Sequence, residues 1–238
     1  MQIQKDYLQK RFCDAKTTYA KNATIQYAMQ ETLWSLLQKH KQGNLKKVLE
    51  LGIGNGNLSQ KIIKHYKPTH YIGIDFVDFS LKNVEFIQAD FETIEHIEAL
   101  RGEKFELIVS NAALQWSNQR ILLPQLSTFL EQKGILLFST FGKDNFKELR
   151  TLFNVGLDYL SLHDYGQILS DLDCKESFMQ TTALHFESPL AVFKHLKHTG
   201  VNALKQNFTL TKAHLNAYAT QFKNCLTYNM LFLLAQKP

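Results

Sequence analysis

Long apolar runs are missing from this chain. No stretch of its 238 residues approaches the roughly 20 apolar residues that a bilayer-spanning helix needs, so a membrane span is not expected. The first ten residues, MQIQKDYLQK, lack the apolar core of a signal peptide, and a soluble, cytoplasmic protein is the expectation. Cysteine is scarce. Cys13, Cys174 and Cys225 are far apart and odd in number, and with no CxxC pair they give no metal or redox site, so buried or idle thiols are expected. Proline occurs four times, and no low-complexity linker or repeat separates one region from another. A single domain over residues 1–238 follows, with N-terminal helices to residue 40, a core over 46–141, an insertion-rich part over 142–225 and a last strand over 226–238. A strong charge excess is also missing: the formal net charge is +5 and spread along the chain. That suits a solvated surface, and it also permits an acidic macromolecular partner.

What is present is an alternation of strand and helix patterns. Residues 5–19 look helical but irregular. Over 24–40, Ile25, Met29, Leu33, Leu36 and Leu37 recur at helical spacing. Short apolar strands are expected at 46–51, 70–75, 83–88, 105–110 and 134–141, with helices at 58–66, 91–100 and 121–130 between them. This order points to an α/β, doubly wound fold, a mostly parallel sheet with helices on both faces, whose ligand sits at the carboxyl ends of the strands. Further on, helices are expected at 145–154, 164–172, 189–199 and 212–222, and strands at 178–187 and 227–235. Helices inserted between the late strands would form a helical cap over the sheet's carboxyl edge.

The stretch VLELGIGNGNLSQKI ends a strand and opens a helix. Gly52, Gly54 and Gly56 allow positive φ and let a ligand touch bare main chain, and the following helix is expected to offer unpaired N–H groups. The spacing is GxGxG, not the GxGxxG of dinucleotide sites, because Asn57 stands at the next position. Asp75 closes the following strand about 20 residues on, where an acid can hold a ribose diol.

Together these residues resemble the first motifs of class I S-adenosylmethionine-dependent methyltransferases, with a Rossmann-like, seven-stranded sheet. The resemblance runs over residues 46–141 in order and spacing. It implies that Glu50 opens the glycine motif, that Asp75 and the adjoining Phe76 lie at the ribose, and that Asp90 lies near the adenine amino group with Phe91 beside the ring. Asn111 and Ala112, in SNAALQW, would flank the methionine end. For Asp90 a helix N-cap is the competing reading, for Phe91 plain core, and for Asp75 a turn cap.

Four further stretches are similar to the malonyl-acyl carrier protein O-methyltransferase family of biotin synthesis. RFCDAKTTYAKNATIQ matches at Phe12, Ala15, Tyr19, Ala23 and Gln26. VSNAALQW matches at Ser110, Asn111, Gln115 and Trp116. HLKHTGVNAL matches at Leu196, Lys197, Gly200 and Leu204, and LTY matches at the start of the last strand; residues 142–190 are poorly diagnostic. The resemblance implies methylation of the free carboxylate of a malonyl thioester on acyl carrier protein or coenzyme A. A carboxylate is already ionised at pH 7, so no residue is required as acid or base and no metal is expected. Tyr19, Gln115, Trp116 and Lys197 would line the acceptor pocket. Each has a bland alternative: helix packing, a buried turn, or a solvated lysine. His195 and His198 read as surface residues.

An acyl carrier protein is acidic, so a basic rim of Lys143, Lys147, Arg150, Lys194 and Lys197 would steer it. Nucleic acid is not expected as a partner: no basic-aromatic tract appears, and the Asn/Asp-Pro-Pro-aromatic turn of amino-methylating enzymes is missing. A methyltransferase of another small carboxylate, an RNA methyltransferase and a non-catalytic cofactor-binding protein remain open at this point.

Overall fold

The computed structural model describes residues 5, 8–10, 13–14, 22–199 and 209–238. Phe12, Ala15, Tyr19, Gly200 and Leu204, and most of the expected helix at 5–19, lie outside the described residues. Among the described ones the helices are α1 (Thr24–His40), α2 (Asn57–Tyr66), α3 (Gln119–Phe129), α4 (Lys147–Phe153), α5 (Leu162–Ile168), α6 (Pro189–His198) and α7 (Lys212–Phe222). The strands are β1 (Lys47–Leu51), β2 (His70–Asp75), β3 (Glu85–Gln88), β4 (Phe105–Asn111), β5 (Leu130–Phe141), β6 (Asp173–His185) and β7 (Cys225–Gln236).

The seven strands form one sheet in the order β3-β2-β1-β4-β5-β7-β6. β1 pairs in parallel with β2 and β4, β2 with β3, and β4 with β5. The Lys237 N–H donates to the Gly134 carbonyl at 2.9 Å, and the Gly142 N–H to the Asn229 carbonyl at 2.8 Å. As β5 advances, its partner number falls, so β7 runs against β5. The order reverses direction beside β1, where β2 lies on one side and β4 on the other. In a doubly wound sheet this switch point opens a crevice past the carboxyl end of β1.

The chain divides into two compact units, each built from separated segments. The larger holds residues 26–140, 160–178 and 231–238; the smaller holds 1–25, 141–159 and 179–230. In the larger unit, Leu49, Leu51, Ile72, Ile74, Phe105, Ile108, Leu136 and Phe138 of the strands pack with Leu122, Leu123 and Leu126 of α3 in one buried cluster. Four of the five residues of β1 are buried, as an interior parallel strand demands. On α1, Ile25, Met29, Leu33, Leu36 and Leu37 are all buried, and their spacing accounts for a helix at residues 24–40.

The smaller unit has an aromatic core. Phe146 meets Tyr228 at a ring-centroid distance of 4.9 Å, and Phe193 meets Tyr218 at 5.5 Å. Inside it the Glu148 carboxylate accepts the Thr227 N–H at 3.0 Å and the Thr227 hydroxyl. This buried pairing ties α4 to the start of β7.

Several expected elements shift. The helix expected at 91–100 is two short 3-10 turns, Phe91–His96 and Glu98–Leu100, because Ile97 is extended at φ −77°, ψ 104°. β5 begins at Leu130, four residues early, through an irregular register against β4. β6 begins at Asp173 rather than 178, and its outward residues hid its alternation. α5 ends at Ile168, four residues short of the expected 172. Cys13 and Cys174 are exposed rather than buried, and Cys225 is half-buried. Among the described residues no helix is long and apolar enough to cross a membrane, and no group of three or more His, Cys, Asp or Glu residues could hold a metal ion.

Candidate functional site

The site in the larger unit is built on the turn between β1 and α2. The Gly52 N–H donates to the Ile74 carbonyl of β2 at 2.8 Å, and the Gly56 N–H to the Ile53 carbonyl at 3.1 Å. The Gly54 N–H donates to Asp75 Oδ2 at 2.9 Å. All three glycine N–H groups are therefore spent within the fold. Unpaired amides were expected at the start of the following helix; the glycines themselves offer shape. Gly52 has φ +71°, and a Cβ there would stand 2.3 Å from the Ala113 Cβ and 3.9 Å from Phe91 Cε1. Gly54 has φ +52°, and a Cβ there would meet nothing within 4 Å. One glycine permits close packing of the loop on the β4 turn; the other leaves open space before Asp75.

Asp75 closes β2. Its Oδ1 accepts the Val77 N–H at 3.2 Å while Oδ2 takes Gly54. Burial raises its pKa above the usual carboxylate range, and the three backbone N–H groups around it pull the other way. The carboxylate keeps acceptor capacity for a further donor, as a diol would supply.

Glu50 lies behind the loop, 1% exposed. Its Oε2 accepts the hydroxyls of Ser59 and Tyr71, each at 2.5 Å. One bond reaches α2 and the other β2, so this carboxyl braces the turn. Burial pushes its pKa up to about 7, the two hydroxyls lower it, and the nearby Asp75 charge raises it further.

At the end of β4, Asn111 Nδ2 donates to the Gln26 carbonyl of α1 at 3.0 Å and its Oδ1 accepts the Ser139 hydroxyl at 2.8 Å. Ala112 takes φ +50°. Gln115 Nε2 donates to the Ala112 carbonyl at 2.5 Å, and Gln115 Oε1 accepts the Thr140 hydroxyl at 3.3 Å. Gln115 thus braces the turn with both ends of its amide, and Trp116 is 7% exposed. Asp90 is the N-cap of the 3-10 turn, accepting the Glu92 N–H at 3.0 Å, and Phe91 is 5% exposed in the core cluster while facing Gly52. The Phe76 carbonyl accepts Gln88 Nε2 at 2.9 Å.

A residue whose part sequence reasoning missed is Gln26. It is 6% exposed, and its Oε1 is buried with no hydrogen-bond partner among the described residues. An unmatched acceptor beside Asn111 costs free energy until a donor arrives. The open space at Gly54, the spare acceptor capacity of Asp75 and this lone acceptor suit a ligand with a sugar diol and an amino group. They offer nothing built for a pyrophosphate. The residues therefore fit an adenosyl amino acid.

In the smaller unit Lys143, Lys147, Lys194 and Lys197 are exposed, while Arg150 is only half-exposed with its guanidinium carbon 5.6 Å from the Tyr159 ring centroid. Arg150 is thus set apart from the exposed lysines. His195 also differs from its expected surface role. Its Nε2 lies 2.7 Å from the Tyr228 hydroxyl and its ring 5.2 Å from Phe186. Burial holds its pKa below the ordinary histidine range, and neighbouring His198 adds to that. No acid was needed to bury it, since a tyrosine hydroxyl partners it instead.

Comparison with known proteins follows the same lines. Residues 42–169 match the methyltransferase domain family. A malonyl-[acyl-carrier protein] O-methyltransferase of Haemophilus influenzae is 32% identical over 98% of this chain and 95% of its own length. One of Bacteroides thetaiotaomicron is 31% identical over 99% of each. The fold resembles the YcgJ protein of Bacillus subtilis, with a TM-score of 0.62 at 14% identity over 87% of this chain and 98% of that one. It also resembles the N-methyltransferase NodS of Bradyrhizobium japonicum, solved with S-adenosyl-L-homocysteine, with a TM-score of 0.51 at 14% identity over 88% and 85%. With a matching domain over half its length and relatives aligned nearly end to end, the chain belongs to the methyltransferase family, among the malonyl-acyl carrier protein O-methyltransferases.

Proposed function

We propose that this protein is an S-adenosylmethionine-dependent carboxyl O-methyltransferase that converts the free carboxylate of malonyl-acyl carrier protein, or of malonyl-coenzyme A, to its methyl ester, an early step of biotin synthesis in the cytoplasm. The observation that carries the reading is the likeness to relatives so described over nearly the whole chain, well beyond the cofactor core.

When bound, S-adenosylmethionine supplies a methyl group on a positively charged sulfur. The chain's part is to hold and to dry. Gly52, Gly54 and Gly56 give the contour, Asp75 with Phe76 beside it takes the ribose, and Phe91 packs on the adenine with Asp90 at its amino group. Gln26 Oε1, Asn111 and Ala112 receive the methionine end. Glu50 acts at one remove by bracing the loop. Tyr19, Gln115, Trp116 and Lys197 serve the acceptor, with Trp116 keeping water away and Gln115 holding the turn. The helices of the smaller unit, α4, α6 and α7, are assigned to the acceptor-binding cap.

One O–C bond forms as one C–S bond breaks. The carboxylate becomes a neutral ester and no proton leaves, which is why no general base is required. Both charges fade on the way to the transition state, so a dry site strengthens the attraction of the reactants too. Acceleration is assigned to alignment and to stripping water from the nucleophile. Exposed Lys143, Lys147, Lys194 and Lys197 favour approach of an acidic carrier.

Mass spectrometry of malonyl-acyl carrier protein after incubation with S-adenosylmethionine tests this. The expected result is a gain of one methyl group that esterase removes. Methylation of free dicarboxylic acids in preference to the carrier would instead support a small-metabolite enzyme. RNA binding that collapses steeply with salt would support an RNA enzyme, and cofactor uptake without turnover a non-catalytic protein.

A further inference from the structure

In the smaller unit one cation, half-exposed Arg150, has a buried nitrogen and no counter-ion among the described residues. Among the described residues, Arg150 Nη2 is buried with no hydrogen-bond partner, and no ion pair includes Arg150. A guanidinium brings five donors in a rigid plane, and burying one unmatched is costly. Its orientation is set from two directions. The Tyr159 ring lies 5.6 Å from the guanidinium carbon. Against another part of it is the Gly156 backbone, where an added Cβ would stand 3.4 Å from Nε.

Tyr159 is 5% exposed and carries a second unspent donor. Its oxygen accepts Asn145 Nδ2 at 3.0 Å, and Asn145 Oδ1 is in turn held by the Asn229 N–H at 3.2 Å. This arrangement points the Tyr159 oxygen by its lone pair and leaves its own hydrogen to give. Burial keeps it a neutral phenol, its pKa pushed up to about 12. A charged donor with a buried Nη2, and a neutral donor on the ring over which it lies, call for a ligand with one negative charge and two oxygens.

We infer that Arg150 and Tyr159 form a carboxylate-recognition pair whose ligand is the free carboxylate of the acyl thioester. This rests on the reading above that the acceptor is a malonyl thioester. It moves carboxylate recognition from Lys197, which is exposed and keeps its water, to a cation with one nitrogen cut off from water. It also supplies specificity. An acetyl thioester has no charge to offer, and the methyl ester has lost the one it had; both leave Arg150 unmatched. The enzyme would therefore select its substrate and release its product by the same contact.

The test uses malonyl-pantetheine, which lacks the carrier protein and so removes any contribution from surface docking. Steady-state kinetics are paired with calorimetric binding of malonyl-pantetheine in the presence of S-adenosylhomocysteine. Arg150→Gln is expected to raise KM and weaken binding by roughly 30-fold, with kcat changed far less. Arg150→Lys should fall between, since it restores charge without the fork, and Tyr159→Phe should lose about 3- to 10-fold. The preference for malonyl- over acetyl-pantetheine should shrink in parallel. Unchanged melting temperature and S-adenosylhomocysteine affinity certify the fold; if Arg150→Gln does not fold, Arg150→Lys and Tyr159→Phe carry the comparison. An unchanged KM and affinity would overturn the assignment. So would a loss seen with malonyl-acyl carrier protein but not with malonyl-pantetheine, which would make Arg150 a carrier contact. If the wild-type protein binds malonyl-pantetheine without methylating it, the functional reading fails while the binding comparison still decides the role of Arg150. If it does neither, both are overturned.

Discussion

Replacing Glu50 by glutamine probes the electrostatics beneath the glycine loop. Glu50 is fully enclosed, and burial lifts its carboxyl from an ordinary value of 4.5 to about 7. In the unfolded chain the same group titrates near 4.5. Between the two values the folded protein keeps a proton that the unfolded chain has lost, so this group makes stability fall as pH rises through that window. At about 1.4 kcal/mol per pH unit, the displacement is worth about 3 kcal/mol, all of it lost by about pH 8. Glutamine has nearly the same shape and no charge to desolvate. Its carbonyl oxygen can accept the Ser59 and Tyr71 hydroxyls that Glu50 Oε2 accepts now. The stability of Glu50→Gln relative to wild type should therefore grow by about 2–3 kcal/mol between about pH 5 and pH 8, or roughly 5–10 °C in Tm for a chain of this size. Differential scanning calorimetry of both proteins across that range reads the effect, and taking the difference cancels every other titrating group. A difference that stays flat with pH would refute the reasoning, because Glu50 would then titrate alike folded and unfolded. A growing disadvantage for glutamine at high pH would reverse its sign.

Four other outcomes are expected. Gly54→Ala adds a methyl group into open space at φ +52°; it should cost about 1–2 kcal/mol of stability for the left-handed backbone and weaken S-adenosylhomocysteine binding about tenfold or more in a calorimetric titration. Gly52→Ala drives its methyl onto Ala113 and should depress the melting temperature well beyond Gly54→Ala before any ligand is added. Gln26→Leu removes the buried unmatched acceptor; it should leave the unliganded protein as stable as wild type or more so, yet weaken cofactor binding about fivefold or more, and unaltered affinity would exclude Gln26 from the site. Reversing Lys143, Lys147 and Lys194 to glutamate should lower kcat/KM for malonyl-acyl carrier protein about tenfold at low salt while sparing malonyl-pantetheine; equal losses on the two substrates would contradict carrier steering.

Local pattern made much of this protein legible. The apolar positions of α1 recur at helical spacing and all face inward. Four of the five residues of β1 are buried, and the glycines follow at once. Asp75 stands at the end of the next strand and is joined to Gly54 by a hydrogen bond. These features depend on residues near one another in the chain, where backbone geometry and side-chain period leave few choices. The same spacing logic failed at residues 91–100, where extended Ile97 breaks what looked like one helix, and at 173–177, where β6 is largely exposed on its outward residues and carries no apolar alternation.

Sequence alone established the alternating fold, the glycine loop, its acid and the family to which the chain belongs, because each is written in short-range pattern and spacing. Only the tertiary structure decided what those polar groups have left to give. Gln26, Glu50 and Arg150 look alike in a string of letters, as polar residues on ordinary helices and strands. Burial made one a brace with a raised pKa, one an acceptor lacking a donor and one a cation lacking an anion. Whether a polar atom is spent or waiting depends on which distant groups fold against it, and no local pattern encodes that.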